Sequence, residues 1–351
     1  MAINLASKAS PKLLERFTKE SVTEGIFSNE YDWTGVETVR VYTLDSLPLN
    51  DYDRTKVDGS SRFGALTEVG DTYQEMTVKD DKAFNGVINK GNNTSQLQIK
   101  AAGKILKMQS REVLIPYADK YRLKVIANGA GLGTVNSTAL TKTTILEAIF
   151  KANAAMSNAL IPMNNRVLYI GETASINLKL ADQLIGIDKL GEKSIVNGVC
   201  GKINGCQVRI VPDVYLPTGV VFMIVHKGIG CAPKKIETMR VLTDQYIVDG
   251  SILQGRMLHD CFVFGTKANG IYVYATAGCT TPTISVASGK ATITGASGET
   301  IKYTLDGTDP KTSPVAEVYS AAVAVTSGDK VRAYAYKTGS LNSGVAAADV
   351  D

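Results

Sequence analysis

Residues 33–93 read WTGVETVRVYTLDSLPLNDYDRTKVDGSSRFGALTEVGDTYQEMTVKDDKAFNGVINKGNN, and this stretch decides the fold. Val36, Val39, Val41 and Leu44 read as an alternating strand. Residues 47–73 then form a segment rich in Asp, Gly and Ser with little to bury. That is far longer than an ordinary connection, which argues for function or disorder. Met76 to Val78 and Ala83 to Ile88 read as two short strands around the polar turn Lys79-Asp80-Asp81-Lys82. A single-chain enzyme has little use for such an extended arm, whereas a subunit that lays it over a neighbouring copy does. Trp33 stands at the base of the arm, where burial of its indole would anchor the strand.

Outward from this stretch, residues 11–19 predict a short helix with Leu13, Leu14 and Phe17 on one face, inside an otherwise mobile arm. Residues 94–113 predict a long helix, with Leu97, Ala101, Ile105 and Met108 at helical spacing. Pro116 interrupts it, because proline lacks a backbone donor and clashes with the preceding turn. A second helix resumes over 117–127, and the glycines of 129–133 read as a flexible hinge. Thr144 and Glu147 form a capping box for a helix to residue 160, with Ile145, Ile149, Ala152 and Met156 on one face and Pro162 as its stop. Residues 166–170 predict a buried strand and 174–184 a helix. Strands follow at 207–211, 220–225, 240–242 and 261–264.

Composition changes near Ala275. From Cys279 onward Thr, Ser, Ala, Gly and Val dominate. Residues 291–293, 300–304 and 330–336 alternate as half-buried strands, and Asp306-Gly307 supplies a tight hairpin-type turn. This predicts a small all-β immunoglobulin-like sandwich of about 70 residues.

The chain has 351 residues, enough for two or more domains, with 44% hydrophobic and 21% charged residues and a formal net charge of +4. A charge this mild neither announces a nucleic-acid binder nor forbids a surface that faces DNA. No apolar run approaches the roughly 20 residues of a membrane span, and the first 20 residues lack the apolar core of a secretory signal. The cysteines (Cys200, Cys206, Cys231, Cys261, Cys279) are odd in number and scattered, as expected of free thiols in a reducing compartment.

No catalytic set converges, so we expect no enzyme. There is no Gly-x-Ser-x-Gly elbow and there are two histidines. The Gly129–Gly133 cluster lacks the Gly-Lys-Ser/Thr ending of a phosphate loop and follows no strand. His226 with Cys231, and His259 with Cys261, fit no zinc spacing, so packing is the expected role and no metal or cofactor is expected. The Asp-x-Asp pattern in the long loop lacks the terminal Glu of a calcium loop. Arg54, Lys56 and Arg62, opposite Asp51, Asp53, Glu68 and Asp71 (with Asp58), are candidates for register-setting ion pairs between copies; plain solubility is the competing reading. Lys100, Lys104, Lys107 and Arg111 recur at i, i+4, i+7 and i+11 and form one basic stripe on the long helix.

The order of parts resembles the coat fold of tailed phages named after phage Hong Kong 97, shared with encapsulin shells. The resemblance rests on Phe27 to Leu44, Asp51-Tyr52-Asp53-Arg54, Ser61-Arg62-Phe63-Gly64, Asp81 to Ile88, the helix from Leu97 to Leu123 and Val167-Leu168-Tyr169-Ile170, and covers residues 1–275. It implies an α+β fold with an N-terminal arm (1–30), an extended loop, peripheral domain and spine helix (31–130), and an axial domain (131–275). Within these, residues 47–90 would be the loop, 94–124 the spine, and 134 to about 260 the axial body. The phrase Tyr303-Thr304-Leu305-Asp306-Gly307-Thr308-Asp309-Pro310 is similar to the chitobiase C-terminal type of immunoglobulin-like module, which would occupy 279–351 as an outward decoration.

From the resemblance, the expected role is a major capsid protein that self-assembles through hexamers and pentamers into an icosahedral head enclosing double-stranded DNA. The expected partners are further copies, a separate scaffolding protein, a portal and packaged DNA held by non-specific contact. The basic stripe would face that DNA, against the alternative of a solvated helix face. The C-terminal module would meet the host surface or its glycans. No membrane contact is expected, and the expected location is the virion, assembled in the host bacterial cytoplasm. An encapsulin-type compartment and a surface carbohydrate-binding protein are the alternatives.

Overall fold

The computed structural model describes residues 21–28, 31, 33, 36–44, 47, 49–56, 62–64, 66, 68–95, 101–181, 195–196, 199–243, 246 and 249–350. The helix expected at 11–19, and Lys100 and Asp58, lie outside them. Residues 21–28, expected to belong to a mobile arm, are fastened to the body. Buried Asp119 accepts hydrogen bonds from Ser21 Oγ (2.8 Å), Val22 N (2.9 Å) and Thr23 Oγ1 (2.6 Å). Arg209 Nη1 donates to the carbonyls of Val22 and Glu24.

Strand β1 (Thr38–Leu44) pairs antiparallel with β2 (Asp71–Thr77), Thr38 opposite Thr77 and Leu44 opposite Asp71. Next comes β3 (Asp80–Asn89). The strands expected around residues 79–82 exist but do not pair with each other. β2 returns along β1, while β3 leaves for a distant strand. Tertiary bonds redirect the chain here: Lys79 N donates to Asp260 Oδ2 (3.0 Å), and Trp33 Nε1 donates to Met76 O (3.3 Å).

After α1 (Lys90–Ser95), the spine runs as α2 (Ala102–Gln109), a π-turn (Ser110–Leu114) and α3 (Ile115–Asn128). Pro116 therefore does not break the helix. The flanking Leu114 and Ile115 keep helical dihedrals. The extra residue of the π-turn re-registers the backbone bonds where proline offers no N–H. The glycines of 129–133 are not a loose hinge either. A Cβ on Gly129 would meet Val263 Cγ2 at 2.9 Å, and one on Gly131 would lie 2.8 Å from the Ala268 backbone, so only glycine permits the chain to cross there.

The body follows as β4 (Leu132–Val135), α4 (Ile145–Asn158), β5 (Arg166–Gly171), α5 (Glu172–Lys179), the small pair β6 (Ile195–Val196) and β7 (Val199–Cys200), β8 (Lys202–Ile203), β9 (Cys206–Val211) and β10 (Val220–His226). At the start of α4 the expected capping box does not form. The Thr144 hydroxyl turns back to Thr141, accepting from its N–H at 2.9 Å, and Glu147 pairs with Lys151 at 2.7 Å. Then come β11 (Gly230–Cys231), β12 (Lys234–Thr243), β13 (Gly250–His259), β14 (Phe262–Val263) and β15 (Ile271–Ala275).

One six-stranded mixed sheet, in the order β4-β15-β10-β5-β9-β8, forms the centre. Side-chain alternation divides its two faces. Val167 and Tyr169, Met223 and Val225, and Ile271 and Val273 pack with Leu123 and Ile126 of α3. Leu168 and Ile170, Phe222 and Ile224, and Tyr272 and Tyr274 pack with Ile145, Ile149 and Met156 of α4 and Leu178 of α5. Helices thus cover both faces of a sheet whose central strands β5, β10 and β15 are apolar over most of their length. Fully buried Arg166 closes the C-terminal end of α4, donating to the carbonyls of Asn153, Ile161 and Pro162, to Asn153 Oδ1 and to Ser157 Oγ.

Strands β12 and β13 leave this body and form a second sheet, β12-β13-β3. Residues 234–259, expected inside the axial domain, thus share a sheet with residues 80–89. The C-terminal region is all β. Strands β16 (Thr283–Ala287), β17 (Lys290–Thr294) and β20 (Val323–Ala324) make one sheet; β18 (Thr300–Thr304), β19 (Glu317–Val318), β21 (Lys330–Tyr336) and β22 (Ala346–Asp349) make the other. Ala291, Ile293, Tyr303, Val331 and Ala333 fill its own core. Asp306-Gly307 does not make a tight hairpin turn: it opens the long connection, residues 305–316, between the antiparallel pair β18 and β19. Gly307, at φ +79°, opens an excursion beside Lys330, and Asp306 Oδ1 accepts from Thr308 N at 3.0 Å.

Candidate assembly surfaces

The loop between β1 and β2 folds back on itself. Asp53 N donates to Arg62 O (3.0 Å), Arg62 Nε to Lys56 O (2.6 Å), and Tyr52 meets Phe63 edge-on at 5.0 Å. Bonds from the Thr55 hydroxyl and N–H hold the Asp53 carboxyl below the usual carboxylate range. Asp51, Arg54, Lys56, Arg62, Glu68 and Asp71 are exposed, and none has an ion-pair partner among the described residues. The structure gathers these sequence candidates on one arm and joins some of them through backbone oxygens, but among the described residues no ion pair links them.

Apolar residues on the same arm escaped the sequence reading. Leu49 and Leu66 are 102% and 97% exposed, and Leu47 and Phe63 are exposed as well, while Val36 and Leu44, read from the sequence as strand residues, lie exposed on the face opposite Val39 and Val41. Their signal was available: bulky leucines in a polar stretch that has no period to bury them. Large apolar groups gathered on one exposed element mark a contact surface.

At its base the arm is rigid. Trp33 is buried, stacks on Phe262 at 5.9 Å and packs with Met76 and Phe264, as its position predicted. The outer face of the hairpin carries Arg40 paired with Glu75 at 2.7 Å and lying over the Tyr73 ring, with Tyr42 beside it. Where arm, second sheet and spine meet, buried His259 stands between the Tyr117 and Tyr121 rings. Tyr117 donates to Asp80 Oδ2 (2.9 Å), and Tyr121 to Asp260 Oδ1 (2.7 Å). Burial and the Asp260 bond push the Tyr121 hydroxyl far above its ordinary range.

Along the spine, Lys104, Lys107 and Arg111 are exposed and enter no ion pair among the described residues. Lys120 and Lys124 are also exposed on α3. Cys206, Cys231, Cys261 and Cys279 are buried free thiols, and burial pushes that of Cys231 up to about 12. Among the described residues no group of three His, Cys, Asp or Glu side chains could hold a metal ion, and no helix is long and apolar enough to cross a membrane.

Solved phage structures, capsids among them, share this architecture. A Mycobacterium phage Che8 structure superposes with a TM-score of 0.64 at 17% identity, covering 77% of this chain and 96% of that one. The capsid structure of the cyanophage P-SCSP1u gives 0.63 at 14% identity, covering 77% and 92%. The mature capsid of bacteriophage PhiM1 gives 0.63 at 9% identity, covering 78% and 92%. No curated protein matches the sequence. The Fn3 associated family matches residues 291–350. At these identities the likeness speaks for architecture, and that architecture is the phage capsid fold, an α+β body with an all-β immunoglobulin-like module at its C-terminal end.

Proposed function

We propose that this chain is a major capsid protein, a structural subunit with no enzymatic role, many copies of which close into the icosahedral head of a tailed bacteriophage. The observation that carries the reading is the arm after β1. It is anchored at its base by Trp33, yet it holds Leu49, Leu66 and Phe63 in solvent beside charges that have no ion-pair partner among the described residues. On a capsid fold such an arm finds its apolar partner on the next copy, and repetition of that contact around a ring builds hexamers and pentamers. The charges of Asp51, Asp53, Arg54, Lys56, Arg62, Glu68 and Asp71 then set register between copies more than they supply affinity.

The exposed Lys104, Lys107 and Arg111 face inward and offset the phosphate charge of packaged double-stranded DNA by non-specific contact. A scaffolding protein and a portal complete the assembly in the cytoplasm of the host bacterium. The C-terminal module faces outward from the virion, within reach of the host surface or its glycans. Negative-stain electron microscopy of the protein, expressed alone and with its genomic neighbours, tests the reading. Closed polyhedral shells or capsomer rings are expected. Monodisperse monomers under every condition, scaffold present, overturn it.

A further inference from the structure

The C-terminal module is not held by its linker alone. The carbonyl oxygen of Ala130 belongs to a residue two positions past Asn128, the last residue of α3. The Lys311 ammonium donates to that oxygen and lies 5.6 Å from the centre of the Tyr334 ring. A cation at a helix C-terminus also meets the negative end of the macrodipole.

The segment 341–345 carries the contact further. Leu341 is buried in the central core that also holds Leu123, Ile126 and Val273. Asn342 N donates to Asn128 Oδ1 (3.2 Å), and Val345 N donates to Gly131 O (3.0 Å). Gly344 comes so near that a Cβ there would lie 3.2 Å from Gly131 O and 3.1 Å from Thr281 Oγ1.

A second point of contact reaches the arm. A Cβ on Gly265 would lie 2.6 Å from Thr312 Oγ1 and 3.1 Å from Asp309 Cβ, so the module loop rests directly on this turn. The same turn is bonded to β2: Gly265 N donates to Gln74 Oε1 (3.1 Å), and Gln74 Nε2 donates to Val263 O (2.9 Å). One continuous set of contacts therefore runs from the arm hairpin through 263–265 and 309–312 to the end of the spine.

We infer that the C-terminal module is an intramolecular clamp, which fixes the end of the spine helix against the central sheet and the base of the arm hairpin. Its own core, built from Ala291, Ile293, Tyr303, Val331 and Ala333, includes none of the clamping residues, so the two roles are separable. The clamp acts within one chain and does not depend on the shell reading.

Hydrogen–deuterium exchange on the unassembled full-length chain tests it, comparing wild type with Lys311→Met and Gly344→Val. In both variants, peptides spanning 72–76, 129–135 and 340–346 are expected to exchange about tenfold faster or more, while 290–294, in the module's own core, keeps its protection. Unchanged exchange at 72–76 and 129–135 in both variants overturns the clamp. Loss of protection at 290–294 in the Lys311→Met variant also overturns it, because the module would then not be a separately folded strap.

Discussion

His259 Nε2 lies 3.0 Å from Asp80 Oδ2, yet neither imidazole nitrogen has an aligned hydrogen-bond partner among the described residues. The ring is 1% exposed, walled by Tyr117 and Tyr121, with Arg122, Lys234, Asp260, Cys231 and Cys261 in the same neighbourhood. Burial lowers its pKa below the ordinary 6.5, and Asp80 offsets only part of that. The unfolded chain therefore binds the proton more readily than the folded one. Stability is full above pH 6.5 and falls as pH drops from 6.5 towards the folded value. Urea titrations between pH 5 and 8 should show this loss in wild type and a flatter profile in His259→Gln. An equal loss in the variant would assign the acid sensitivity elsewhere.

Lys311 gives the opposite end of the pH range. Burial pushes its pKa down to about 8. Below pH 8 both states carry the proton and the cost of the enclosed cation is fully present. Between pH 8 and 10.5 the folded protein sheds the proton first, so stability rises, by on the order of 2 kcal/mol. Thermal unfolding followed from pH 7.5 to 10 should show that rise in wild type and lose it in Lys311→Met.

Arg166 is buried with its guanidinium fully bonded to the end of α4 and the turn after it. Replacement by Met leaves the carbonyls of Asn153, Ile161 and Pro162 without this donor in the interior. The expected cost is about 3 kcal/mol, read as a lower urea midpoint at unchanged slope. A change under 1 kcal/mol would mean that water replaces the guanidinium at little cost.

Leu49→Asp combined with Leu66→Asp alters two side chains that are almost wholly exposed in the single chain. The subunit should keep its thermal midpoint to within about two degrees, since exposed substitutions rarely exceed about 0.5 kcal/mol. Closed shells should be lost under conditions where wild type forms them. Shells at wild-type yield would remove the arm from assembly.

Replacing Lys104, Lys107 and Arg111 with Gln should leave empty shells intact while filled heads lose DNA at lower temperature than wild type. On the proposed reading the exposed stripe contributes little to the fold and its charges neutralise phosphate. Identical DNA retention would return the stripe to a solvated helix face.

Several elements were legible in the chain before folding. The apolar positions of β5, β10 and α4, the long arm and the compositional change at residue 275 all follow from local period and content. Strand β13 was not legible. Its alternation is interrupted by Gln254, Gly255 and Arg256, and Gly255 is there because the Phe84 ring of β3 lies over it. Nor could spacing show that residues 234–259 would pair with residues 80–89. That pairing spans a separation at which local propensity carries no information.

By itself the sequence determined which segments must bury a face and which cannot: the apolar strands of the central sheet, the amphipathic helices and the polar arm. Only the tertiary structure decided where each was joined. Pro116 stayed inside a helix because a π-turn absorbed its missing donor. Glycines read as a hinge became a tight crossing because Val263 and Ala268 lie against them. The C-terminal module, separate by composition, was locked down because the carbonyl of Ala130 met Lys311 and the central core had room for Leu341. Burial and hydrogen-bond satisfaction between distant residues are properties of the packed chain, and no local pattern encodes them.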